Sequence, residues 1–367
     1  MTATKKTILF LHRWLGFTAG LVVFIVSITG CIFCFQDEIQ DALHSYRHVE
    51  AQNKPWLSPA VLKQIALKKY PAGAVNYIYY YGNNRPAAVL VSTKQGFQDI
   101  YLNPYTGLIT HEENPLHNFF TVVEYIHLYL LLPAKVGRIV VGTSVIIFVV
   151  IMITGIILWW PKRKSDRKRS FTIKWKGRWQ RVNYDLHNVL GFYACSISLI
   201  LAITGLAIAF EPVNKGLYYA ANLGKNYPAE NKVLHSGKSN QAFAQPAIDK
   251  AFGTAQQLSP GAGMFLIANP DGKTETIQVT AYPEALHFGK SDYFYFDRNS
   301  GNLLGKLSNA QKSTGKKLND LNYDIHVGQA LGLTGKIIAF LASLVCASLP
   351  LTGLIIWLGR KNKKRRA

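Results

Sequence analysis

Read for hydrophobic and polar positions, the 367-residue chain alternates four apolar runs with two long mixed segments. The runs are Leu15–Phe35, Ile139–Trp160, Val189–Phe210 and Ile337–Leu358. Each holds about 20 residues with almost no charge, the length a helix needs to cross a hydrocarbon core. A helix buried in a soluble core is seldom apolar all round over that length. The mixed segments read differently. The first predicts a helix near Pro59–Tyr70, then the strand-like runs "VNYIYYYG", "AAVLVST" and "QDIYLNPYTGLIT". The second predicts a helix near Asn240–Gln257, then "MFLIANPDG", "TETIQVTA" and "DYFYFDRNSGNLLG". Asn103–Gly107 and Asp297–Gly301 are turns between period-2 strands. Each mixed segment is therefore expected to form one helix on a small antiparallel sheet, and is long enough for an independent core.

The fold class expected is a membrane α-helical protein with four transmembrane helices in two pseudo-repeats and two outer α+β segments. The first span falls within 1–36, the first outer segment within 37–134 and the second span within 135–161. A basic loop, 162–182, leads to the third span at 183–211. The second outer segment covers 212–325, the fourth span 326–359 and a basic tail 360–367. Pro350 in the fourth span should kink it or be compensated by neighbouring helices.

Charge orients this arrangement. The net charge is +21 and is uneven along the chain. Lys5, Lys6 and Arg13 open it, "PKRKSDRKRSFTIKWKGRWQR" joins spans two and three, and "GRKNKKRRA" ends it. Short basic segments stay on the cytoplasmic side, so both termini and the middle loop are placed inside and both long segments outside. Topology and contact with anionic headgroups account for the basic balance, and no nucleic-acid partner is expected. Ser27–Cys31, "SITGC", mimics a lipoprotein cleavage box, but its Thr-Gly pair recurs in every other span.

That recurrence belongs to an internal repeat. Leu11-His12, Leu15-Gly16-Phe17 and Thr29-Gly30 return as Leu186-His187, Leu190-Gly191-Phe192 and Thr204-Gly205. Tyr125, Ile126-His127, Gly137-Arg138 and Thr154-Gly155 return, with a one-residue gap, as Tyr323, Ile325-His326, Gly335-Lys336 and Thr352-Gly353. Four of the ten histidines thus occupy equivalent positions, His12 and His187 at one depth, His127 and His326 at the other. Ionisable groups at lipid depth are costly and functional by default, so the four suggest two ligand pairs. Beside them run stripes of small residues: His12, Gly16, Ala19, Val23, Ser27, Gly30 and Cys34 in span one, and His187, Gly191, Ala194, Ser198, Ala202, Gly205 and Ala209 in span three. Such stripes serve close helix packing or leave room for a flat macrocycle.

No third ligand recurs with either pair, which disfavours zinc, whereas two axial imidazoles suit a haem. No C-x-x-C-H is present, so the inference is non-covalent haem b, two per chain. Arg13, Arg138 and Lys336 are placed to pair with propionates or to snorkel. His44, His111 and His117 in the first outer segment are alternative ligands. Cys31, Cys34, Cys195 and Cys346 all lie in spans, where cysteine behaves as a small hydrophobe, with a redox role for Cys31 and Cys34 left open. The tyrosines of "YIYYYG" are strand formers that could also contact an anionic chelate.

The four motif stretches, "LHRWLGF…SITG", "DLHNVLGF…AITG", "YIHLYLLLPAKVGRIVVG…ITGIILWWPKRK" and "DIHVGQALGLTGK…LTGLIIWLGRK", resemble the PepSY-associated transmembrane family. This family is also called the iron-regulated membrane proteins and includes bacterial ferric-siderophore reductases. The resemblance covers essentially the whole chain. It implies that the outer segments are periplasmic PepSY-like domains, although "DRNSG" departs from the usual D/N-P-x-T-G turn. It further implies a bacterial inner-membrane protein whose b haems, on His12, His127, His187 and His326, carry electrons to a ferric siderophore. Relatives that append a flavin/NADPH reductase domain differ from this sequence, so the expected electron donor is a separate reductase or membrane quinol. Two other functions fit the same segments: a non-enzymatic PepSY protein that binds or restrains a periplasmic protein or protease, and a haem or metal carrier.

Overall fold

The computed structural model describes residues 2–161, 163–231, 233–237, 245–269 and 275–366. Parts of the sequence expectations that fall on Lys162, 240–244, 270–274 and Ala367 lie outside the described residues. The chain divides into two units, a helical one (Met1–Gln36, Val122–Lys215, Ile325–Ala367) and a sheet-bearing one (Asp37–Thr121, Gly216–Asp324).

Among the described residues of the helical unit, four helices are long and apolar enough to span a membrane: Ala3–Cys34, Ala134–Trp159, Trp179–Ala209 and Gln329–Arg360. The chain is a multi-pass membrane protein. Each helix overruns the apolar run that predicted it, because polar residues flanking the run keep helical geometry. His12 and His187 therefore lie inside their spans. The Leu186–Leu190 turn around His187 is a π-helix, a local widening that is frequent at functional sites. Pro350 lies inside a continuous helix, Gly332–Arg366, and its ring faces Gly20 of the first span, where a Cβ would stand 3.4 Å away.

The first span packs on the second and fourth, and the third does likewise. The repeat is visible in these contacts. Phe17 meets Trp357 edge-on, with centroids 5.2 Å apart. Its counterpart Phe192 stacks on Trp159 at 4.2 Å. Of the small-residue stripes, Ala19, Val23, Cys34, Ala194, Ser198 and Ala202 are buried, and Ser198 Oγ lies 2.9 Å from Cys346 Sγ. Much of each stripe therefore serves helix packing.

In the other unit the two segments build one sheet. The first contributes β1 (Ala74–Tyr80), β2 (Ala87–Thr93), β3 (Gly96–Leu102) and β4 (Ile109–Glu113). The second contributes β5 (Met264–Ala268), β6 (Ile277–Tyr282), β7 (Asp292–Phe296) and β8 (Leu303–Leu307). The order is β4-β3-β2-β1-β5-β6-β7-β8, and every neighbour is antiparallel. The expectation of two separate small sheets is thus corrected. β1 pairs with β5, Tyr77 opposite Ala268 and Tyr80 opposite Phe265. The physical reason is that each half alone would leave an apolar edge strand unpaired, and joining them removes both edges.

The helices Pro59–Lys69 and Gln245–Leu258 cover one face, and Leu62, Ile78, Ile100, Ile248, Ile267 and Phe296 are fully buried between. Asp249 of the second segment accepts from Ser58 Oγ and Ala60 N of the first, both at 2.8 Å, capping that helix across the repeat. The two turns repeat as expected. Asn103 Oδ1 accepts from Tyr105 N and Thr106 N, and Asp297 Oδ1 from Asn299 N and Ser300 N. Each turn closes on a left-handed glycine, Gly107 (φ 75°) and Gly301 (φ 67°), beside its own covering helix.

Candidate functional site: the four histidines

Each histidine is held by the Thr-Gly pair of the other span in its own repeat. His12 Nδ1 lies 3.0 Å from Thr154 Oγ1, and His127 Nδ1 lies 3.1 Å from Thr29 Oγ1. In the second repeat His187 Nδ1 is 2.9 Å from Thr352 Oγ1, and His326 Nδ1 is 3.0 Å from Thr204 Oγ1. The glycine that follows each threonine faces the same ring. A Cβ on Gly30, Gly155, Gly205 or Gly353 would stand 3.4, 3.2, 2.9 or 3.3 Å from the Cε1 of His127, His12, His326 or His187.

The hydrogen bonds decide where each ring proton sits. Thr29 donates its hydroxyl to the Ile25 and Val26 carbonyls of its own helix, so its free lone pair can only accept. His127 Nδ1 also lies 3.0 Å from the Val26 carbonyl, which has no proton to give. In the neutral ring Nδ1 therefore carries the proton, and Nε2 keeps its lone pair. The other three rings have the same environment. The backbone of Ile151, Leu349 and Leu201, each three residues before the partner threonine, lies within electrostatic reach of the rings of His12, His187 and His326. Each of those threonines likewise donates to its own helix.

The histidines also meet across the repeats. The rings of His127 and His326 have centroids 6.1 Å apart at 65°. His12 lies within electrostatic reach of His187. The local folds that set the first pair are matched. His127 lies in the last turn of the helix Phe119–Tyr129, and Leu130 and Leu131 then take left-handed backbone. His326 ends the helix Thr314–His326, and Gly328 takes the left-handed turn. In both, a glycine of the following span lets the helix press on this corner. Gly137 lies against the Tyr129 backbone and Gly335 against the Gly328 carbonyl, where a side chain cannot fit.

Among the described residues, no group of three or more His, Cys, Asp and Glu is arranged to hold a metal ion. Pairs of imidazoles with bare Nε2 fit a group that needs two axial nitrogens. Open space beside Gly16, where a Cβ would meet nothing within 4 Å, fits a bulky one. Gly191 is tighter, with Leu349 Cδ2 at 3.3 Å. Arg13 lies over Phe10 and Trp14, and its Nε is buried with no hydrogen-bond partner, a donor left for an anion. Arg138 is exposed, whereas its repeat counterpart Lys336 is 5% exposed. His44 and His111 flank Tyr46 in the sheet unit, and His117 ends a short turn there. Cys31 and Cys34 are both buried, and Cys31 donates to the Phe340 carbonyl.

Thr29, Thr154, Thr204 and Thr352 are the residues whose role was missed from sequence. Their signal was present as the repeated Thr-Gly pair, but only the folded helices show which ring each one meets. Tyr80 corrects a reading in the other direction. It is 1% exposed, stacks on Phe252 and Trp56 and donates to the Leu57 carbonyl, so it belongs to the core and contacts no chelate.

Compared with known families, the chain matches the PepSY-associated TM region over residues 9–360. No curated protein matches it.

Proposed function

The chain belongs to the PepSY-associated transmembrane-region family, and from that premise we propose that it is an inner-membrane b-haem protein that carries electrons to a ferric siderophore. The observation behind this reading is the pairing of His127 and His326, whose ring centroids are 6.1 Å apart. Two metal–nitrogen bonds of ~2 Å, with about 1 Å from each nitrogen to its ring centre, sum to about 6 Å.

Bound between each pair, haem would supply one-electron chemistry. The chain's own residues do the rest. His12 with His187, and His127 with His326, would hold the haem through Nε2. Arg13, Arg138 and Lys336 supply cations for propionates. The spans exclude water, and the basic segments fix direction by holding both termini and the middle loop in the cytoplasm. The His12/His187 pair then lies at cytoplasmic depth, the His127/His326 pair at periplasmic depth, and the sheet unit in the periplasm. One electron from a reductase or quinol converts Fe(III) to Fe(II), which hard oxygen donors hold weakly, so the siderophore releases it.

The test is single-turnover oxidation of the chemically reduced protein by ferric siderophore, with released Fe(II) trapped by a coloured chelator. One Fe(II) per electron stored supports a reductase. Reduced protein that keeps its electrons in the presence of the chelate contradicts it, and haem that transfers to an acceptor protein instead identifies a carrier.

A further inference from the structure

We propose that the four Thr-Gly pairs are positioning elements, and that they act crosswise: each lies at the end of its span away from that span's own histidine, and fixes the ring proton and tilt of the histidine of the other span in its repeat. The seating stands on the structure alone; its consequence for a bound iron rests on the haem reading above.

The crossing follows from helix geometry. His12 and Thr29 lie 17 residues apart in one helix, about 26 Å at ~1.5 Å per residue. His187 and Thr204 have the same spacing. Each span therefore carries a histidine near one end and a seat near the other. Thr29 seats His127, whose neighbour is His326, seated by Thr204. Thr154 and Thr352 seat His12 and His187.

A threonine that bonds back to its own helix is common in membrane helices and can serve only to bend them. Here the same oxygen also accepts an imidazole proton, four times in four pseudo-equivalent places. The threonine, with the backbone three residues earlier close by, accepts from Nδ1, which keeps Nε2 bare. The glycine acts on geometry. It lies against Cε1, the carbon between the two nitrogens, so a methyl there would tilt the ring and swing Nε2. Hydrogen bonding at Nδ1 makes Nε2 the stronger donor, which favours ferric over ferrous iron.

The experiment uses the full chain in lipid nanodiscs, with Thr29→Val, Thr154→Val, Thr204→Val and Thr352→Val, each paired with its Ser variant. Val keeps the volume and removes the acceptor; Ser restores it. Redox titration followed in the visible spectrum should show one haem moving to higher potential in each Val variant. Thr29→Val and Thr204→Val should move the same haem, Thr154→Val and Thr352→Val the other, and Ser should return both to the wild-type value. Histidine 15N spectra of the chain as purified, without added haem, should show Nδ1 protonated and Nε2 bare. Unchanged potentials in all Val variants, Thr29→Val and Thr154→Val moving the same haem, or protonated Nε2 would overturn the proposal. If the chain binds no haem yet shows Nδ1 protonated and Nε2 bare, the seating stands and the haem reading falls.

Discussion

The two units keep the internal repeat in different ways. In the helical unit the repeat preserves chemistry: histidine, threonine and glycine return in the same places and make the same contacts. In the sheet unit it preserves the core and the turns, while the polar face diverges. On the first half of that face Asp99 lies across from Glu113 and Tyr101 across from His111. On the second half Tyr293 meets Lys312, which is 3% exposed and paired with Asp320 at 2.6 Å. The sheet can be built by any residues of suitable size and period. The spans tolerate no such freedom at the histidines and their seats, and that is why the functional proposal rests there.

The largest effect should come from the histidines. His127→Ala or His326→Ala should remove about one haem per chain and leave the other, and His12→Ala or His187→Ala should do the converse, read by haem quantification. Alanine variants of His44, His111 and His117 should keep both. A loss of haem in one of these would move the ligand set into the sheet unit.

Next come the corner glycines. Gly335→Ala places a methyl against the Gly328 carbonyl, and relief requires backbone movement, a cost of about 1–3 kcal/mol or more. Loss of haem at the His127/His326 pair should precede loss of folded protein in a thermal series. Gly16→Ala meets open space in a helix interior, so its stability without haem should hold or rise, and any drop in haem content would locate the macrocycle beside it.

A comparable effect is expected in the sheet unit, larger in its second half, where the obstacle is backbone rather than the end of a side chain. Gly107→Ala and Gly301→Ala each force a side chain into left-handed backbone, where a Cβ would stand 2.6 Å from Ile65 Cδ1 or 2.5 Å from the Ala247 carbonyl. Each should cost about 1–3 kcal/mol in denaturant unfolding without changing the spectrum of the spans. A spectral change would show that the units are coupled.

The smallest effect is a pH dependence confined to the first half. Burial, and then Glu113 opposite, push the Asp99 carboxyl up to about 7. The folded state thus keeps a proton that the unfolded chain releases at lower pH. Stability should fall as pH rises from about 4 to about 7 and level off above. Asp99→Asn should match wild type near pH 4 and be more stable at pH 8, as read from melting curves. An equal gain at both pH values would mean that the carboxyl is not held protonated.

Much of this was legible in the sequence. Four long apolar runs can only be satisfied as helices in lipid, so the spans could be read directly, and the offset repeat exposed the four histidines. Strand period and the Asn103 and Asp297 turns gave the sheet elements. Two things were hidden. The β1–β5 pairing joins residues almost 190 positions apart, and no local pattern specifies such a partner. The link from Thr29 to His127 depends on how helices cross, which spacing along one helix cannot state. Tyr80 illustrates a third difficulty: in "YIYYYG" successive residues face opposite sides of the sheet, so Tyr77 and Tyr79 share one face and Tyr80 takes the other, and the letters alone do not say which side is the core.

The most direct test of the central claim is haem quantification by visible spectroscopy on the wild-type chain purified after expression with ample haem. Two b haems per chain are expected, both low-spin with paired imidazole ligands. A chain that is folded, as judged by its helical signal, and has no Soret band would contradict it.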